Sequence, residues 1–152
     1  MKNRSIIHRN RGYRWDGISL HEYKTEGSHF DRITRQTLLG DAEGELSGAA
    51  ITRYFEIEPG GHSTLEAHQH NHMVVVVRGS GTMVLGEETE DLLFLDAVYI
   101  APDTFHQFHA NGDEPFGFLC VVDRERDRPR LPDRDDLEKL RSNPEVARLL
   151  KT

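Results

Sequence analysis

Four side chains that can bind a metal ion stand on alternate positions of Glu66-Ala67-His68-Gln69-His70-Asn71-His72. Six of the nine histidines (His62, His68, His70, His72, His106 and His109) fall between residues 62 and 109. A lone histidine is usually a surface or core imidazole, but imidazoles and a carboxylate packed this densely suit a divalent cation. On a straight strand, positions 66, 68, 70 and 72 share a face, yet the end residues lie roughly 20 Å apart at about 3.3 Å per residue. Metal bonds to nitrogen or carboxylate oxygen span only about 2.0–2.2 Å. The chain must therefore reverse near Gln69 to Asn71 if Glu66 and His72 meet one ion, and Asn71 suits a turn.

The elements that would position such a site are short β-rich runs between residues 45 and 125. ITRYFEIE reads as a strand ended by Pro59-Gly60-Gly61, and STLEAH follows. HMVVVV closes at Arg78-Gly79-Ser80-Gly81, with the VVVV run expected to be buried on both faces. TMVLG, a polar turn from Glu87 to Asp91, LLFL, AVYIAP, HQFHA and FGFLCVV complete the series. Many short strands at this spacing favour a sandwich or barrel over a parallel α/β sheet.

Residues 1–44 read as an arm that packs on the barrel or on a partner, with Tyr13, Trp15, Leu38 and Leu39 as anchors. Residues 126–152 read as a charged tail. DRERDRPRLPDRDD is expected to be solvated, and LEKLRSNPEVARLL forms two helical turns split at Ser142-Asn143-Pro144. Leu137, Leu140, Val146 and Leu149 are available there for packing.

The formal charge of −7 speaks against nucleic acid as a partner. No apolar run is long enough to span a membrane, and the basic start lacks a secretory core, so a cytoplasmic protein is expected. The single cysteine, Cys120, lies in an apolar strand and reads as buried rather than reactive. By alternation Glu56 and Glu58 are expected on a solvent face, and His62 and His109 at the rim or surface.

The sequence resembles the cupin superfamily, the small germin-like double-stranded β-helix barrels, over roughly residues 45–125. The family's first motif, G-x5-H-x-H-x3-E-x6-G, runs here from Gly60 through Glu66, His68 and His72 to Gly79. Glu66 takes the first histidine position and His72 the glutamate position, a permuted set of the same chemistry. The second motif, G-x5-P-x-G-x2-H-x3-N, is matched loosely by LDAVYIAPDTFHQFHAN, with His106 as its histidine. Leu95, Ala101, Asp103 and Ala110 replace its other marked residues. The flanking phrases RYFEIEPGGHSTLEAH and EPFGFLCVVDRERDRP also look like a widespread group of bacterial single-domain cupins.

The resemblance implies an all-β jelly-roll barrel holding one divalent metal through Glu66, His68, His72 and His106, with a chain reversal between the second and third ligands. His70 is the rival ligand. Taking His68-Gln69-His70 as the family's pair would put the next ligand at Val74, so His70 is assigned outward or to a supporting role. Iron, manganese, nickel, copper and zinc all suit such a nitrogen-rich set. An open coordination site with residual positive charge suits a small carboxylate or enol-type substrate. A dioxygenase-type oxidoreductase is the favoured expectation. The alternatives are a redox-neutral isomerase, lyase or decarboxylase, and a non-catalytic small-molecule or metal-binding cupin. A homodimer through barrel edges and arms is expected.

Overall fold

The computed structural model describes residues 5–24, 29–41, 45 and 49–152. The expected boundary between arm and barrel at residue 44 falls outside the described residues. The strands are β1 (His21–Glu22), β2 (Asp31–Leu39), β3 (Ala50–His62), β4 (His72–Arg78), β5 (Gly81–Leu85), β6 (Glu88–Leu92), β7 (Ala97–Ile100), β8 (His106–His109) and β9 (Phe116–Asp123). Two short helices follow, α1 (Arg134–Leu140) and α2 (Pro144–Leu149). The sheet runs β6-β5-β8-β3-β9-β4-β7, with β2 paired along β3 and β1 on β2, and the assigned pairings are antiparallel. This curled antiparallel sheet is the all-β jelly roll that the sequence led us to expect.

Alternation explains the core. Ile51, Phe55 and Ile57 of β3, Val74 and Val76 of β4, and Phe116, Phe118, Cys120 and Val122 of β9 are buried in one cluster. A second cluster joins Leu65, Ala67, Val84 and Phe105 to Leu140 and Val146 of the helices, with Leu137 and Leu149 packed against it. The helices break at Asn143, whose side chain caps α2, with Pro144 opening it. Asp133 caps α1 in a reciprocal box with Asp136.

Three local expectations fail for physical reasons. Pro59-Gly60-Gly61 does not end β3. Against β2 the register jumps from Ile57–Ile33 to His62–Asp31, so the turn residues form a bulge with Gly60 at positive φ. The strand bends there and continues to pair with β8, His62 opposite His109. The VVVV run is not buried on both faces: Val74 and Val76 point inward, while Met73 is 50% exposed and Val75 37%. The polar Glu88–Leu92 is strand β6, paired with β5 around a tight turn at Gly86-Glu87, and Leu93, Phe94 and Leu95 are exposed beyond it. The ladder to β5 outweighs the low strand propensity of Glu and Asp.

The arm lies against the outer face of β3. Tyr13 stacks on Tyr54 at 5.9 Å, Trp15 packs against it at a tilt at 5.0 Å, and the Gln36 side chain donates to the Tyr13 carbonyl at 2.9 Å. This cover explains why Glu56 is buried rather than solvent-facing. Its carboxylate accepts from the Tyr54 hydroxyl at 2.6 Å and from Arg78 at 2.7 Å. Leu38 is buried as an anchor, whereas Leu39 is exposed.

Candidate metal centre

His72 opens β4 and His106 opens β8, strands separated in the sheet by β3 and β9. His68 sits in the irregular segment between β3 and β4. Glu66 and Ala67 in that segment pair as single bridges with His106 and Arg130. The Glu66 amide donates to the His106 carbonyl at 3.2 Å, and the His106 amide donates back to Glu66 at 3.0 Å. Directly opposed residues share a face, so this bridge sets Glu66 beside His106. The chain then turns at residues 69–70 before entering β4, the reversal that convergence of the ligands requires.

The reversal is held by Asp127. Its carboxylate accepts from the amides of Gln69 (2.7 Å) and His70 (2.9 Å) and contacts the His70 Nδ1 at 2.7 Å. Burial opposes the Asp127 charge, but these amides and the imidazole together hold its pKa well below the usual carboxylate range. The segment expected to be a solvated tail therefore forms one wall of the site, with Arg126, Asp127 and Pro129 facing the cavity.

His68, His72 and His106 are all buried and offer ligand nitrogens within 4.8 Å of one another. A point equidistant from three atoms 4.8 Å apart lies about 2.8 Å from each, so inward shifts of roughly 0.7 Å or less bring all three within a metal–nitrogen bond of about 2.1 Å. The tautomers suit this. Nδ1 of His68 donates to the His70 carbonyl at 2.6 Å, and Nδ1 of His106 donates to the Thr104 carbonyl at 2.9 Å. Each bond leaves Nε2 with a free lone pair. The His68 Nε2 is buried with no hydrogen-bond partner, an orphaned atom that a cation would satisfy. Burial lowers His106 to about 4 and lowers His68, and it drives His72 far below the ordinary range with repulsion from His106 and His68. The imidazoles are thus neutral at physiological pH, the form that binds metal.

Glu66 is not within that trio. Its carboxylate pairs with Lys24 and accepts from the Tyr23 hydroxyl at 3.4 Å. Burial, then the Glu66 charge, raises the Tyr23 phenol well above its ordinary value, so it stays protonated. His70 stacks on His68 with ring centroids 3.8 Å apart and planes 7° from parallel, and its Nε2 lies 3.3 Å from that of His72. It therefore faces the site rather than outward. His62 and His109 lie apart, their rings 5.9 Å from each other. His109 is buried against Gln107, not at the surface.

Tyr23, Glu66, His68, His70, His72 and His106 line one cavity of about 200 Å³. Lys24, Arg35, Arg53 and Arg126 also line it, and none was singled out from the sequence. A signal existed: Arg53 shares the inward parity of Ile51, Phe55 and Ile57, and Arg35 that of Ile33. A charge in an apolar row marks a functional surface.

A profile of the cupin domain matches residues 53–122. A Rhodospirillum rubrum protein named 1-methylthio-D-xylulose 5-phosphate methylsulfurylase is 46% identical over 142 residues, covering 91% of this chain and 86% of that protein.

The chain belongs to the cupin family.

Among solved cupins, a cupin 2 conserved barrel domain protein from Rhodopseudomonas palustris is 42% identical with a TM-score of 0.88, covering 97% of this chain and all of the other. A cupin-2 domain from Rhodospirillum rubrum is also 42% identical, with a TM-score of 0.80 over 95% of each chain.

Proposed function

We propose that this cupin is a metal-dependent enzyme acting on a methylthio-substituted ketopentose phosphate, the substrate class in the name of its Rhodospirillum rubrum relative. The observation that carries the reading is the meeting of His68, His72 and His106 in a cavity rich in cationic side chains. The relative's name supports the isomerase- or lyase-type alternative. The dioxygenase chemistry favoured from the sequence alone finds no support in that name, and we set it aside.

When bound, a divalent ion would supply Lewis-acid polarisation to oxygen donors such as a ketone and its neighbouring hydroxyl. The three neutral imidazoles hold it. We assign Glu66 as the fourth ligand: a carboxylate has about four lone-pair sites, and Lys24 and Tyr23 engage only two. Lys24 pairs with the Glu66 carboxylate and orients it beside His106. We assign His70 the proton-carrying role. Asp127 fixes its Nδ1–H, leaving Nε2 directed into the cavity as an acceptor. His106 and His68, tied through Nδ1 to backbone carbonyls, cannot rotate away.

The outer face of β4 and β7 leaves Met73, Val75 and Tyr99 exposed, with Leu93, Phe94 and Leu95 at the adjoining turn. We propose that a second copy of the chain covers this face. A strict monomer in sedimentation would remove that part of the reading. Among the described residues, no helix is long and apolar enough to cross a membrane.

Conversion of 1-methylthio-D-xylulose 5-phosphate by the metal-loaded protein, followed by phosphorus NMR, tests the function. Consumption that needs the metal and is equal in air and under argon supports it. Consumption that needs oxygen, or none at all, would refute it.

A further inference from the structure

Three guanidiniums face the cavity from separate elements: Arg35 on β2, Arg53 on β3 and Arg126 just beyond β9. Register places two of them in the barrel interior. Arg53 lies opposite Cys120, which lies opposite the buried Val74, two residues along β4 from His72. Arg35 lies opposite Phe55, whose β9 partner is Phe118. Opposed residues share a face, so Arg35 and Arg53 lie on the face that carries the metal-binding imidazole of His72.

Among the described residues these cations have no carboxylate in direct contact: no ion pair involves Arg35, Arg53 or Arg126. The Nε atoms of Arg35 and Arg53 are buried without a hydrogen-bond partner. Arg53 Nη2 reaches the Cys120 sulfur at 3.7 Å, and its guanidinium lies over the Phe55 ring at 5.0 Å. Arg126 Nη1 donates to the carbonyls of Asp123 (3.1 Å) and Arg124 (3.2 Å). Burial and mutual repulsion with Arg53 lower the pKa of both Arg35 and Arg126, with Asp41 offsetting part of this. Lys24 behaves differently, since it is committed to Glu66.

Converging guanidiniums with unfilled buried donors form a poor resting arrangement and a good receptor. We propose that Arg35, Arg53 and Arg126 form a subsite for the phosphate monoester of the substrate, leaving its keto end to the metal centre. The assignment rests on the proposed function. Three positive charges exceed what one carboxylate would balance, whereas a phosphate dianion meets them with three terminal oxygens. Guanidinium forks match those oxygens in planar, paired hydrogen bonds. The chain carries a net charge of −7, so attraction of an anion must come from a local cluster such as this one.

Calorimetry on the metal-loaded full chain tests the subsite, with D-xylulose 5-phosphate, D-xylulose, inorganic phosphate and acetate as probes. Xylulose 5-phosphate is expected to bind at least tenfold more tightly than xylulose, with inorganic phosphate competing and acetate not. R53Q and R126Q are each expected to weaken xylulose 5-phosphate at least tenfold at unchanged metal affinity, with R53K and R126K recovering part of the loss. Arg126 lies outside the core, so R126Q together with the wild-type probes decides the matter should R53Q fail to fold. Equal affinity for the two sugars, no binding of either phosphate compound, or Gln variants that bind as the wild type does would overturn the proposal. Arg-dependent phosphate binding without conversion of the methylthio substrate would refute only the proposed function. Conversion with an unchanged KM in R53Q and R126Q would refute only the subsite.

Discussion

Replacing Asp127 with asparagine perturbs the site without touching a metal ligand. The carboxylate accepts three hydrogen bonds, at 2.7, 2.9 and 2.7 Å, from the segment that reverses the chain between His68 and His72. A charge-assisted bond in a buried setting contributes about 1.5–3 kcal/mol. The Asp127 side chain is 30% exposed, so roughly 1 kcal/mol each, about 3 kcal/mol in all, is a reasonable ceiling for ordering the reversal. Only the part that distinguishes the converged imidazoles from a relaxed loop reaches the metal. That matches the 10–100-fold, or about 1.4–2.8 kcal/mol, typical of residues that orient metal ligands. Competition against a chromophoric chelator with Zn²⁺ or Mn²⁺ should show D127N weaker by that factor. The wild-type affinity should owe the same amount to Asp127 between about pH 5 and 8. A carboxylate with a depressed folded pKa keeps its contribution above the unfolded value near 3.9 and loses it only below. A D127N affinity within twofold of wild type would refute the idea that the reversal is held from the tail.

Further outcomes follow from the same geometry. H70Q should lower kcat at least tenfold while shifting metal affinity less than D127N does, measured by steady-state kinetics and chelator competition. E66Q should weaken metal binding about tenfold or more, and an unchanged affinity would remove Glu66 from the ligand set. E56A should destabilise the fold by about 2–3 kcal/mol in urea titration, because Tyr54 and Arg78 lose their shared partner on the outer face; metal affinity should not move. Burial, then repulsion from His62 and Lys151, lowers His109 to about 4, whereas an unfolded imidazole titrates near about 6.5. The unfolded chain therefore takes the proton first, and about 3 kcal/mol of stability is lost as pH falls from about 6.5 to 4. H109Q should flatten that slope in urea titrations across the window.

The convergence of His68 and His72 was legible because alternate Glu and His positions, joined to spacing between Gly60 and Gly79, call for a reversal between them. His106 followed from the same register despite a worn second motif. The C-terminal helices were legible from the Ser142-Asn143-Pro144 break and the leucine spacing on either side. Elsewhere, local signals were overridden by long-range pairing. Pro59-Gly60-Gly61 reads as a turn but lies in a ladder that bends through a bulge, and Glu88–Leu92 becomes a strand because β5 is beside it. Glu56 looked solvent-facing because nothing local says that Tyr13 and Trp15 return to cover it. The cavity wall was least legible. Lys24, Arg35, Arg53 and Asp127 come from the arm, β2, β3 and the tail, and only tertiary closure brings them to one place.

The central claim is that one divalent ion, held at His68, His72 and His106, is needed for chemistry on a methylthio-ketopentose phosphate. Phosphorus NMR of 1-methylthio-D-xylulose 5-phosphate with protein stripped by a chelator, then reloaded to one ion per chain, addresses it most directly. Conversion should be absent in the stripped protein, return on reloading, and fail to return in H106Q. Undiminished conversion by the stripped protein, or by H106Q, would contradict it.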